Sequence, residues 1–328
     1  MSAEPASARA LWVLAAFEAE LRTERLPPVG ENDVLVEAEY SGISRGTESL
    51  VFRGAVPEAV RDSMRCPHQV GDFPGPVKYG YCSVGRVSAG AADLVGKRVF
   101  CLHPHQDRYV VPARDVVPLP DGVPSARAVL AANMETAVNA LWDADAGIGC
   151  RVCVIGAGAV GLLCASLLAR VPGVELQVID VSEQKRAVCS ALGVPYAAPS
   201  AARGDCDIVI HASGSGAGLD TAVALAGFEA TIIELSWYGD KPVSVGLGGR
   251  FHNQRLTIRS SQVGHVANAR RARWSYRRRM QLALELLADE RYDHLLETPE
   301  PFESLPRVLA ALATPSSTVT QVIRYGPR

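Results

Sequence analysis

The stretch Arg151-Val-Cys-Val-Ile155-Gly156-Ala-Gly158-Ala-Val-Gly161-Leu-Leu-Cys-Ala-Ser-Leu-Leu168 decides the fold. A β-branched run meets a G-x-G-x-x-G cluster and then an Ala/Leu-rich segment, which is the strand, tight turn and helix that a dinucleotide fingerprint requires. Gly156 allows the turn, Gly158 lets the backbone approach a pyrophosphate, and Gly161 permits close helix-to-strand packing. Ala159 and Val160 open the helix, whose N-terminus offers amides and a positive dipole end to phosphates. A second strand, Leu176 to Ile179, ends at Asp180, where a carboxylate would accept a ribose 2′-hydroxyl and repel a 2′-phosphate. The expected cofactor is therefore NAD rather than NADP.

Outward from this point, strands alternate with helices through Asp207 to Ala212, Ala230 to Leu235 and Leu256 to Ser260, which means a parallel sheet with crossover helices. Ser213 follows the strand Asp207 to Ala212, at the carboxyl edge where a cofactor lies in such sheets, although Gly and Ser also simply make loops. Lys185 and Arg186 read either as a 2′-phosphate clamp or as solvated helix-face charges. Upstream, from Leu11 to Pro120, short apolar runs broken by Gly, Pro, Asn and Asp argue for a β-rich barrel or sandwich. The expected domains are 1–133 (β-rich), 134–264 (dinucleotide-binding) and 265–328, a C-terminal return to the first. That return carries a long helix from Ala267 through Leu287, a helix at Phe302 to Ala313 and a strand at Val319 to Tyr325.

Composition excludes several classes. Of 328 residues, 48 % are apolar and 21 % charged, and 33 basic against 35 acidic residues leave a net charge of −2. No general positive field exists to hold nucleic acid. Arg270, Arg271, Arg273, Arg277, Arg278 and Arg279, interleaved with Trp274 and Tyr276, read as an exposed helix face. Eight scattered cysteines suit a reducing, cytoplasmic setting. Leu11 to Phe17 lacks a basic flank and reads as a strand rather than a signal segment. Val152 to Ala169 is uncharged but is better explained by strand, turn and helix than by a membrane span.

Gly80-Tyr-Cys-Ser-Val-Gly85-Arg-Val, Gly96-Lys-Arg-Val-Phe, the fingerprint, Asp180 and Gln184 to Gly193 together resemble the medium-chain dehydrogenase/reductase family over nearly the whole chain. The resemblance implies a GroES-like β-barrel catalytic domain joined to a doubly wound Rossmann domain. Ser41-Gly-Ile-Ser-Arg-Gly-Thr-Glu48 looks most like the zinc-independent branch that includes bacteriochlorophyllide a 3-hydroxyethyl dehydrogenases, which oxidise a secondary alcohol. Where zinc members of the family supply Cys, His and a third ligand, this chain has Ser44, Tyr81 and the Ala132–Asn133 step. A hydroxyl, a phenol and an amide do not make a tight zinc site.

The expectation is a zinc-independent, NAD-dependent dehydrogenase with His103 as proton acceptor and Thr47 as relay hydroxyl, completed by Glu135 and Tyr81. Each has a plain structural alternative: a packed histidine, a turn cap, a helix-surface charge and a core ring. Rival functions are a quinone or enoyl reductase and a non-catalytic NAD-binding sensor. A homodimer is expected through the strand Leu256 to Ser260, whose edge would otherwise need protection.

Overall fold

The computed structural model describes residues 7–314 and 317–326. The chain divides into two compact units. One comprises residues 1–132, 284–289 and 296–328, and the other 133–283 and 290–295.

In the first unit, a seven-stranded sheet orders Glu300–Pro301, Gln321–Arg324, Asp33–Ile43, Ser83–Gly90, Arg98–Cys101 and Val116–Pro118, with the seventh strand, Arg108–Pro112, paired on Asp33–Ile43 off that path. A four-stranded sheet orders Glu18–Arg25, Ser7–Ala15, Val77–Lys78 and Val70–Gly71. Alternation along the strands buries Val34, Val36, Val87, Val99, Tyr109 and Val111 in one cluster, as a half-buried β face demands. The sequence reading did not anticipate the helix Arg45–Phe52 between two of these strands. Ser44 caps it, and Glu48 one turn on accepts the Ser44 backbone N–H at 2.7 Å.

The second unit is a six-stranded parallel sheet in the order Tyr196–Ala197, Glu175–Ile179, Arg151–Ile155, Cys206–His211, Ala226–Glu234 and Thr257–Ser260. In sequence terms this is 3-2-1-4-5-6, the doubly wound order whose strand reversal creates a crevice at the carboxyl ends. The helix Ala159–Leu168 follows the first strand directly and is buried along most of its length, which accounts for its uncharged sequence. Among the described residues no helix is long and apolar enough to cross a membrane. All eight cysteines are free, and seven are buried.

Three expectations are corrected. Residues 265–283 belong to the second unit rather than to a return into the first. The expected helix from Ala267 is helical only over Tyr276–Leu286, turns occupying the arginine-rich stretch before it. Arg279 is not on an exposed face: it is 1 % exposed and held by Glu135, Asn139 and the Val263 carbonyl, which fastens its helix to this unit.

Candidate active site

The dinucleotide cradle has the shape its chemistry needs. Gly156 sits at φ +104°, and a Cβ there would come within 2.8 Å of the Ser213 backbone. A Cβ on Gly161 would overlap the Gly156 carbonyl oxygen. Gly158 caps the helix with no side-chain capping bond, and a Cβ on it would meet nothing, so open space lies over uncapped amides. Those amides fit a pyrophosphate by charge and by geometry. Asp180 Oδ2 accepts the Ala157 N–H at 2.7 Å and Oδ1 the Ser182 N–H at 2.8 Å, fixing the carboxylate beside the glycine loop.

Lys185 is buried rather than solvated. Arg186 binds Glu183 at 2.8 Å and lies 4.5 Å over the Tyr196 ring, while its side chain stays more than half exposed. Ser213 is exposed at the carboxyl edge of the sheet, with its hydroxyl 2.6 Å from His211 Nε2.

In the first unit, Ser44, Thr47 and Tyr81 meet. The Ser44 and Thr47 side chains lie close enough to the Tyr81 phenol to favour its ionised form, a lowering influence on its pKa. Tyr81 is only partly exposed, and desolvation, reinforced by the Cys82 and Glu48 charges, pushes its pKa well above the ordinary tyrosine value. The phenol therefore holds its proton firmly. Its ring stands edge-on to Tyr79 at 6.0 Å.

Beneath the helix Arg45–Phe52 runs a buried chain of polar groups that sequence reasoning missed. Glu48 Oε2 lies 2.8 Å from His105 Nε2, His105 Nδ1 lies 2.7 Å from Ser41 Oγ, and Ser41 Oγ lies 3.0 Å from the Tyr325 hydroxyl. Glu48 and His105 are 3 % and 1 % exposed. Burying such a pair is tolerable only because each member is hydrogen-bonded. The one available signal was an acid four residues past the helix cap.

Two of the expected catalytic residues are buried. His103 is 5 % exposed, stacks on Tyr109 at 3.7 Å between centroids, and directs Nδ1 at the Pro104 carbonyl, 2.9 Å away. Burial pulls its pKa well below the ordinary histidine value and so keeps it neutral. The physical reason is the end of the strand at Cys101, after which the chain turns the imidazole into the core. Glu135 is not an exposed helix charge. It is 6 % exposed in the second unit and bonded to Arg279 Nε at 3.0 Å.

At the three places where the resemblance would put zinc ligands stand Ser44, Tyr81 and Ala132–Asn133. Among the described residues no group of three or more His, Cys, Asp or Glu side chains is arranged to hold a metal ion. This donor set does not fit zinc, whose sites draw on thiolate, imidazole and carboxylate.

No family model matches the chain. Among curated proteins it is similar to an L-threonine 3-dehydrogenase of Bacillus velezensis, 25 % identical over 273 residues and covering 76 % of each chain. Among solved structures it resembles a protein of Escherichia coli CFT073 described as a short chain alcohol dehydrogenase and complexed with NADH, at TM-score 0.76 and 16 % identity over 97 % of this chain and 99 % of that one. It also resembles a protein of Sinorhizobium meliloti 1021 described as a zinc-binding dehydrogenase and bound to NADP, with the same TM-score, identity and coverage. The fold is thus that of the medium-chain alcohol dehydrogenases, a GroES-like domain with a Rossmann domain.

Proposed function

We propose that this chain is a zinc-independent medium-chain dehydrogenase that uses NAD to interconvert a secondary alcohol and its ketone. One observation carries the reading: Ser44, Thr47 and Tyr81 come together, with the Ser44 and Thr47 side chains acting on the Tyr81 phenol, at places where the family resemblance would put zinc ligands. Asp180 beside the glycine loop supports NAD, and the surface pair of Arg186 with Glu183 competes with a 2′-phosphate for that guanidinium. A bound nicotinamide supplies the hydride acceptor or donor.

The chain's own residues do the rest. Tyr81, held protonated, donates a hydrogen bond to the substrate oxygen, and the Thr47 and Ser44 hydroxyls pass the substrate's proton toward solvent during alcohol oxidation and back during ketone reduction. Glu48 braces the helix that carries Thr47, through its bonds to the Ser44 amide and to His105. His103 keeps Tyr109 packed. The rival quinone or enoyl reductase fits less well because such members usually prefer NADPH, which Asp180 disfavours. Pairing of two copies along the edge strand Thr257–Ser260, in a cytoplasmic protein, completes the proposal.

The test is NAD-linked oxidation of a panel of secondary alcohols, polyols and pigment-like alcohols, before and after exhaustive chelation, with zinc measured in the purified protein. Activity that survives chelation is expected. Stoichiometric zinc, with activity lost on its removal and restored on its return, would overturn the mechanism.

A further inference from the structure

At the carboxyl edge of the parallel sheet, three side chains of the second unit stand in acid, base and hydroxyl order. His211 ends one strand and Glu234 ends its neighbour, paired in register. Glu234 Oε2 lies 2.7 Å from His211 Nδ1, and His211 Nε2 lies 2.6 Å from Ser213 Oγ. The imidazole is 0 % exposed, whereas Ser213 is exposed. Because Nδ1 faces a carboxylate it carries the ring proton, so Nε2 accepts the Ser213 O–H. Glu234 is anchored in turn by the Ser236 N–H at 2.7 Å and the Tyr238 hydroxyl at 3.1 Å.

The helix Gly216–Leu225 begins beside this hydroxyl with no side-chain cap. A Cβ on Gly218 would overlap both Ser213 Oγ and His211 Nε2, so only glycine lets the helix's first turn lie against the pair.

We propose that Ser213 is an activated nucleophile and that this edge has acyl-transfer activity toward small activated carboxylic esters. Ser213 Oγ forms a bond to the ester carbonyl carbon while its proton passes to His211 Nε2. The ester C–O bond then breaks and the leaving alcohol takes that proton. Water, deprotonated by the same imidazole, cleaves the acyl-serine and restores the hydroxyl, so ester and water give acid and alcohol. Uncapped amides at the helix N-terminus suit the oxyanion that develops.

The experiment is labelling of the full chain with a fluorophosphonate, mapped by peptide mass, alongside p-nitrophenyl acetate hydrolysis. Expected are one label on Ser213, its loss in Ser213→Ala, and slowing by roughly 10² to 10⁴-fold in His211→Gln. Glu234→Gln, a gentler change, should slow labelling while far-UV circular dichroism stays that of the parent. No label on Ser213, or labelling at the parent's rate in folded His211→Gln or Glu234→Gln, overturns the proposal. NADH separates this inference from the proposed dehydrogenase, because the Gly156 turn packs on the Ser213 backbone. Slower labelling with NADH supports both readings, whereas Ser213 labelling that NADH leaves unchanged supports the nucleophile and counts against a dinucleotide at this edge.

Discussion

Replacing Arg279 by leucine should destabilise the second unit without touching its chemistry. The guanidinium is 1 % exposed and donates to Glu135 Oε1 at 3.0 Å, Asn139 Oδ1 at 2.5 Å and the Val263 carbonyl at 2.6 Å. Its loss leaves the Glu135 carboxylate buried without its cation, an error that costs about 3–5 kcal/mol. For a unit of this size each kcal/mol moves the midpoint by about 2–4 °C, so Tm should fall by roughly 6–20 °C. Burial already raises the Glu135 pKa, against the lowering effect of Arg279, and removing the arginine raises it further. A carboxyl whose folded pKa exceeds its unfolded value favours the fold below the unfolded value, and that advantage is lost as pH rises through the folded one. The penalty of Arg279→Leu should therefore be smallest in acid and complete at neutral pH.

Thermal unfolding followed by circular dichroism at several pH values measures this. Glu135→Leu/Arg279→Leu should recover most of the loss, since a buried pair replaced by apolar groups of similar volume is often neutral. Glu135→Gln should leave turnover within a few-fold of the parent. A Tm shift below about 2 °C for the single variant, worth less than about 1 kcal/mol, refutes the assignment. So does a 10²-fold fall in kcat for Glu135→Gln, of the size expected on losing an acid–base group.

Three further outcomes follow from the site. Tyr81→Phe should lower kcat by roughly 10² to 10³-fold, the cost of losing a donor to the reacting oxygen, while NADH affinity, read by fluorescence titration, stays unchanged; retention of full turnover would move that donor elsewhere. The parent should bind NAD at least about tenfold tighter than NADP, and Asp180→Ala should narrow that gap by relieving the carboxylate–phosphate conflict, with equal or better binding of NADP by the parent counting against it. His103→Phe should retain turnover and flatten stability below about pH 6.5: the depressed folded pKa of His103 gives stability that is present above its unfolded value and lost as pH falls through the folded one. An equally steep acid slope in that variant would show that His103 does not set it.

What the sequence determined by itself is local. The β-branched run, the three glycines and the Ala/Leu helix lie within eighteen residues, and their periodicity and turn chemistry specify strand, turn and helix before any distant partner arrives. Asp180 was legible for the same reason, since it ends the next strand at a fixed offset. The alternation of later strands likewise announced a parallel sheet, though not that Ala226–Glu234 begins four residues early or that the arginine-rich stretch turns before its helix.

Only the tertiary structure decided which polar groups share a site. Ser41, Glu48, His105 and Tyr325 are joined by strand pairing that brings Gln321–Arg324 against Asp33–Ile43, across nearly the whole chain. His211 and Glu234 meet because two parallel strands fall into register. Glu135 and Arg279, separated by 144 positions, find each other in the interior, where desolvation demands a partner that neither residue's neighbours in sequence disclose. His103 and His105 differ by two positions, yet one is stacked on a tyrosine and the other bonded to a carboxylate, because burial and hydrogen bonding are fixed by what packs around a side chain and not by its type.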